Sequence, residues 1–367
     1  MWHRHSCLCS LILRASTPDD ATVEGQAHEI SRYIRPMRAI VFDQFGDESV
    51  LHLGNVEAPT LAASDLRIRV TGTAVNRADL LQRQGHYPPP PGASSVLGLE
   101  CAGTVIEMGS EASGWRVGER AMALLPGGGY AEEVVVDARS AIHVPDSLNN
   151  DEAAAIPEVF LTAFLNIFDL ARARRGETIL VHGGGSGVGT AATTLGKLAG
   201  LRVLVTVGSA EKAERCLEHG ADVAINYRNE DFVIRAMKET DGRGVDVVLD
   251  HIGASYVSRD LQVLATGGRI VVIGSMGGPG TIELNVGSLL AKRQQIIGST
   301  LRARPIAEKG AIVAGFLEKF GDALRDGRLR PVIDRVYPLE QAAEAHRRMS
   351  AGENFGKVVL RVSPSAG

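Results

Sequence analysis

Ile179-Leu-Val-His-Gly-Gly-Gly-Ser-Gly-Val-Gly189 decides the fold. Ile179 to Val181 reads as a buried strand, the glycines as a tight turn, and Thr190 to Ala199 as an Ala/Leu-rich helix. Strand, glycine turn and helix in that order make a candidate dinucleotide site. Residues without side chains let the backbone approach a pyrophosphate, and the helix N-terminus offers free N–H groups and partial positive charge. The spacing is Gly184-x-x-Gly187-x-Gly189 rather than G-x-G-x-x-G, so the turn alone also fits plain packing of a helix onto a sheet.

The chain beyond the turn favours the nucleotide reading. Strand patterns at Arg202 to Val207, Asp222 to Asn226, Val245 to Asp250 and Gly268 to Ile273 alternate with helical patterns at Ala210 to His219 and Asn229 to Thr240. Short connections in that alternation imply right-handed crossovers and a doubly wound, parallel Rossmann sheet. The second strand ends in Val207-Gly-Ser-Ala-Glu-Lys212, with no carboxylate at its tip to bond a ribose 2′-hydroxyl. Ser209 and Lys212 can hold a 2′-phosphate and Tyr227-Arg228 can cover it, which favours NADPH. Glu211 is the contrary detail and is read as pointing outward; taken singly, Lys212 reads equally well as a solvated helix lysine.

The chain has 367 residues, enough for two domains. Its 39 basic and 43 acidic residues leave a net charge of −4, which argues against a nucleic-acid partner. Cys7, Cys9, Cys101 and Cys216 are too scattered for a disulfide framework, pointing to a reducing, cytoplasmic setting. No apolar run reaches membrane-spanning length. Residues 1–36 lack sustained periodicity and are expected to be a disordered extension before the globular pattern starts at Met37. A segment translated upstream of the usual start is the first explanation. An organellar targeting peptide is the second, weakened by Asp19, Asp20, Glu24 and Glu29.

From Met37 to about Asn150 the pattern is β-rich. Short strands are expected at Arg38 to Phe42, Val50 to Val56, Leu66 to Val75, Thr104 to Met108, Ala121 to Leu125 and Ala131 to Val136, as in a compact barrel. Asn150 is expected to cap a helix. The tail from Ile306 holds a helix, a loop around Pro331, a helix at Leu339 to Met349 and a closing strand at Lys357 to Val362 that returns to the β-rich part.

A β-rich start, an inserted nucleotide fold and a returning C-terminus together resemble the medium-chain dehydrogenase/reductases. The resemblance covers Met37 to Val362 and implies an α/β protein with a GroES-like catalytic domain (37–158 and 302–367) around a Rossmann domain (159–301). Zinc alcohol dehydrogenases of that superfamily carry a Cys ahead of an Asp and then Gly-His-Glu. Here the matching stretches are Asn76-Arg-Ala-Asp79 and Gly98-Leu-Glu-Cys-Ala-Gly103. Asn76 replaces the thiolate, Leu99 replaces the imidazole, and no four-cysteine cluster is present, so no metal is expected.

Three further stretches resemble the quinone oxidoreductases related to zeta-crystallin, and within them the damage-inducible subgroup. They are Ala74-Val-Asn-Arg-Ala-Asp-Leu-Leu-Gln-Arg-Gln-Gly-His-Tyr-Pro-Pro-Pro-Pro-Gly92, Ala121-Met-Ala-Leu-Leu-Pro-Gly-Gly-Gly-Tyr-Ala131 and Ser186-Gly-Val-Gly-Thr-Ala-Ala192. Ser186 and Thr194 stand where the branch commonly has Gly and Gln; the subgroup shares the serine.

The resemblance implies that Asn76 and Thr162 lie near the nicotinamide and that Ser186, Gly187 and Val188 hold the pyrophosphate. Ser209, Lys212 and Tyr227 would surround the 2′-phosphate, and Gly253, Gly274, Ser275 and Met276 would border the nicotinamide ribose. Asn354 and Lys357 would close over the cofactor. Tyr87 and Ser186 are the catalytic candidates, Tyr87 because its proline-stiffened loop is expected to overhang the nicotinamide. The plainer alternative for Tyr87 is an aromatic wedged among prolines. His182 and Cys101 are read as core residues.

The implied activity is NADPH-dependent reduction of quinones, with reduction of enone or enoyl double bonds as the alternative, since both use the same frame. A reading of another class, an RNA-binding or structural crystallin-like protein, is disfavoured by the charge and by the lack of an aromatic–basic stripe. Gln294 to Leu301 reads as an apolar strand at a sheet edge, which points to a homodimer with a continuous sheet.

Overall fold

The computed structural model describes residues 36–278 and 280–362. The extension 1–36, with Cys7 and Cys9, therefore lies outside the described residues apart from Pro36. Strands β1 (Pro36–Val41) and β2 (His52–Glu57) pair with each other. A seven-stranded sheet is built from β3 (Asp65–Val75), β4 (Glu100–Met108), β5 (Arg120–Leu124), β6 (Glu133–Asp137) and β7 (Ala141–His143), completed from the far end of the chain. The nucleotide-type sheet has β8 (Thr178–Val181), β9 (Arg202–Val207), β10 (Val223–Asn226), β11 (Val245–Asp250), β12 (Leu264–Val272) and β13 (Gln295–Gly298). Its order, β10-β9-β8-β11-β12-β13, is parallel throughout.

β8 is buried along its whole length, as a parallel strand covered on both faces must be. The switch in strand order falls beside β8, where the glycine turn leaves the sheet. β13 forms one edge, with Ile296 partly exposed.

Two strands were hidden in sequence. β7 has three residues, and β14 (Ile333–Pro338) follows Pro331, which read as loop punctuation. β14 pairs in parallel with β15 (Lys357–Arg361), and β15 lies antiparallel to β3 with Val358 opposite Val75. That pairing carries Lys357 to the end of β3, beside Asn76. Caps moved three helix starts. Asn149, not Asn150, caps the Asn150–Ala153 helix, through a reciprocal box with Glu152. Ser186 starts its helix at Gly187, ahead of Thr190, and Asp231 delays the next-but-one to Phe232.

The Pro157–Phe164 helix runs into a wider turn, Leu165–Leu170, and packs on the long Ile306–Arg325 helix. Phe164, Phe168, Phe316 and Phe320 meet there, mostly edge to face, with ring centres 5.2–6.3 Å apart. This contact holds the end of the Pro157 helix against the Ile306 helix.

Candidate active site

β3 ends at Val75, and Asn76 begins the Arg77–Arg83 helix with its backbone N–H donating to Asp79 (2.8 Å). The Asn76 amide then turns inward: Nδ2 donates to Glu100 Oε1 (2.8 Å) and Oδ1 accepts from Lys357 Nζ (2.7 Å). Lys357 Nζ also donates to Glu100 Oε1 at 2.7 Å and to the Val75 carbonyl at 3.2 Å. An ammonium has three N–H donors, and all three are used. The other carboxylate oxygen of Glu100 accepts from the Glu158 backbone N–H at 2.9 Å. Asn76, Glu100 and Lys357 thus form a closed, buried triad tied to the first turn of the Pro157 helix.

The glycine turn abuts this triad. A β-carbon at Gly187 would come 2.6 Å from Cδ of Lys357 and 3.1 Å from Val159, so only glycine admits the lysine stem. Ser186 caps the Gly187–Leu198 helix, its Oγ accepting from Gly189 N–H (3.0 Å). The cap satisfies Gly189, and the Thr190 N–H bonds back to the Ser186 carbonyl. Gly187 and Val188 are the first two residues of this helix, so their N–H groups have no intrahelical acceptor. The residues present fit a dinucleotide pyrophosphate.

Ser209 and Tyr227 meet at the tip of β9. Ser209 caps the Ala210–Glu218 helix, and the Tyr227 hydroxyl lies over Gly208, where a β-carbon would be 2.6 Å away. Lys212 passes Gly185 and donates from Nζ to the carbonyls of Gly352 (2.6 Å) and Asn354 (2.8 Å), which leaves its third donor without a partner among the described residues. The Gly356 N–H bonds the Gly185 carbonyl (2.9 Å), so the 352–356 segment lies against the turn, with Asn354 Nδ2 on the Gly356 carbonyl. On the far side of β8, Gly253 (φ +88°) packs on Gly274 and Ser275, and Met276 is half-exposed, its N–H bonding the His251 carbonyl. Thr162, half-buried on the Pro157 helix, accepts from Asn166 Nδ2 at its carbonyl (2.7 Å).

Tyr87 is half-buried on its proline loop. The Arg302 guanidinium lies 5.4 Å from its ring centre and donates to the Tyr87 carbonyl (3.3 Å), to the Pro126 carbonyl (2.8 Å) and to Gln82 Oε1 (2.6 Å). Burial, together with the nearby Glu158 carboxyl, raises the Tyr87 phenol above its ordinary range. Burial likewise pushes Glu158 up to about 8, with Glu100 adding to it and Lys357 and Lys309 opposing. Asp79 rises to about 6 by burial, although the N–H groups of Asn76 and Gly98 stabilise its charge.

Asn76 offers no thiolate and both ends of its amide are engaged in the triad. Leu99 is buried and offers no ligand atom, and burial pushes the Cys101 thiol up. This donor set does not fit zinc. His182 is a core residue, bonded to Thr206 and Asp260 and set edge to face against the stacked rings of Phe232 and Tyr256.

The sequence reading missed Glu100, Glu158, Arg302 and Lys309. Glu100 and Glu158 each interrupt an otherwise apolar stretch, a usable signal. The cations that face them come from the other end of the chain.

Two family models match: an alcohol dehydrogenase GroES-like domain over residues 62–146 and a zinc-binding dehydrogenase over residues 219–360. The chain is 33% identical over 328 residues to the quinone oxidoreductase of Rattus norvegicus, covering 88% of this chain and 97% of that one. Mycobacterial Rv1454c, solved in complex with NADPH, superposes with a TM-score of 0.78 at 29% identity, covering 89% of this chain and 99% of that one. The CurK enoyl reductase gives the same score at 27% identity, again over 89% and 99%.

Proposed function

The chain belongs to the quinone oxidoreductase family of the medium-chain dehydrogenase/reductases, and on that basis we propose that it reduces small quinones with NADPH and without a metal. One observation carries the reading: the helix-start amides of Gly187 and Val188 sit beside the buried Asn76–Glu100–Lys357 triad, joined through the lysine stem. Anion-binding amides and a metal-free polar cluster in direct contact suit a site where a nucleotide delivers hydride to a neutral acceptor.

In this reading Ser186, Gly187 and Val188 hold the pyrophosphate. Ser209, Tyr227 and the third donor of Lys212 surround the 2′-phosphate, which selects NADPH. Bound NADPH supplies a hydride. Asn76, fixed by Glu100 and Lys357, and Thr162 orient the nicotinamide, with Gly253, Gly274, Ser275 and Met276 along its ribose and Asn354 closing the turn. Tyr87 holds the acceptor carbonyl by a hydrogen bond that strengthens as negative charge grows on the oxygen.

The likeness to an enoyl reductase supports a second reading, reduction of an activated carbon–carbon double bond. Initial rates of NADPH and NADH oxidation with a panel of quinones, alkenals and enoyl thioesters decide between them. The expected result is the highest kcat/KM for a quinone with NADPH. Turnover confined to enals or enoyl thioesters replaces the first reading with the second.

A further inference from the structure

Oε2 of Glu158 is buried and has no hydrogen-bond partner among the described residues. Orphaned buried oxygens are uncommon and call for a reason. The carboxyl stands at the first turn of the Pro157–Phe164 helix, where the helix end favours its ionised form. Glu100 on β4, Lys357 on β15, Asp79 on the Arg77 helix and Lys309 on the Ile306 helix act on its charge, and Arg302 and Tyr87 also feel it. Its own backbone N–H bonds Glu100 of the triad (2.9 Å), so the carboxyl is tied to the triad and within electrostatic reach of the Tyr87 loop, where an acceptor held by Tyr87 would stand.

We propose that Glu158 is a catalytic acid, which gives its proton to the acceptor oxygen as hydride arrives. The proposal rests on the quinone-reductase reading above. In the balanced step a hydride from the bound cofactor, which would be oxidised in giving it, would bond to the acceptor with its electron pair, the Glu158 O–H bond would break, and its proton would form an O–H on the acceptor oxygen, so that quinone, hydride and proton together make the hydroquinone. The carboxylate left behind faces Lys309 and Lys357 and regains a proton from water. A group held protonated to about 8 suits this task, because it carries its proton at neutral pH yet releases it readily. Tyr87 does not compete: burial makes its phenol a weaker acid, so it bonds the oxygen without surrendering its proton. Asp79 is pinned by two backbone N–H groups and the Tyr130 hydroxyl.

The test compares the full chain with Glu158→Gln and Glu158→Asp on two acceptors. Duroquinone gives a basic reduced anion that needs a proton; tetrachloro-1,4-benzoquinone gives a weakly basic one that does not. With duroquinone, Glu158→Gln is expected to lower kcat by about a hundredfold and to abolish the decline in kcat/KM above about pH 8. Glu158→Asp should keep that decline, and turnover of the chlorinated quinone should change little. NADPH affinity, read by fluorescence, should be preserved. Infrared difference spectra of the apo protein across neutral to alkaline pH should show a carboxylic-acid band that Glu158→Gln lacks. Wild-type protein that reduces no quinone overturns the functional reading and this proposal with it. Active wild type beside a Glu158→Gln variant with unchanged duroquinone turnover and the same alkaline decline overturns this proposal alone.

Discussion

Lys357 Nζ stands 2.7 Å from Glu100 Oε1, with side chains 2% and 0% exposed. A buried pair of this kind survives only when the remaining donors and acceptors are also met. Asn76, the Val75 carbonyl and the Glu158 N–H meet them here. The ion pair is therefore one object with the site, and the chain's C-terminal strand is part of it.

Removing one partner should cost more than removing both. Lys357→Met strands the Glu100 charge and is expected to lower unfolding stability by about 3–5 kcal/mol. The double variant Lys357→Met/Glu100→Gln should recover part of that loss. Urea unfolding of the two variants against wild type checks the order; equal losses would mean that the pair is not coupled.

The parallel sheet was legible because β8, β9 and β11 carry short runs of buried Val, Leu and Ile and the glycine turn punctuates the first crossover. β14 was not, because Pro331 masks a strand held only by its pairing with β15. The site divides in the same way. Ser186 and Gly187 are local signals, visible in one short stretch. Glu100 is joined to Lys357 across 257 residues, and no window of sequence contains both. Lys212 was legible as a cation at the right strand tip, but its bonds to the Gly352 and Asn354 carbonyls arise from the returning chain.

Those two bonds sharpen the cofactor prediction. Lys212→Ala should loosen the 352–356 segment and weaken both nucleotides somewhat. It should weaken NADPH by roughly a further tenfold or more, since a charge-assisted contact contributes about 1.5–3 kcal/mol. The ratio of NADPH to NADH dissociation constants is the measurement, and an unchanged ratio would remove Lys212 from 2′-phosphate recognition.

Acid stability should depend on His346. The Arg83 guanidinium can only donate, so His346 Nδ1 accepts from it (3.2 Å), and Nε2–H faces the Tyr130 oxygen (3.0 Å). Burial and Arg83 depress this imidazole from 6.5 to about 3. Between those values the unfolded chain binds the extra proton, so His346 subtracts stability as pH falls from about 6.5 toward about 3. His346→Gln, which can keep both hydrogen bonds, should flatten the fall in melting temperature over that range. An identical pH profile would contradict the assignment.

β13 leaves one edge of the parallel sheet unpaired among the described residues, with Ile296 on it and Val286 and Leu290 exposed on the preceding helix. Such an edge favours pairing with a second copy, and we expect a homodimer with the sheet continuous across the two-fold. Light scattering at micromolar concentration should give twice the chain mass. Ile296→Lys, which places a charge on the edge, should shift the mass toward the monomer.

Tyr87 provides the sharpest check on how the acceptor is held. Its ring is braced by Arg302 and its loop by Pro88 to Pro91, so the phenol has few alternative positions. Nothing in the Lys212–Asn354 contacts depends on it, which separates acceptor positioning from nucleotide binding. A hydrogen bond to an oxygen that becomes negative contributes more in the transition state than in the ground state. Tyr87→Phe keeps the ring and its packing on Arg302 and deletes only the hydroxyl. The expected result is a kcat lower by about tenfold to a hundredfold with NADPH affinity nearly constant. Single-turnover hydride transfer to a good quinone isolates the step from product release. Unchanged transfer would leave Tyr87 as a packing aromatic and remove it from acceptor positioning.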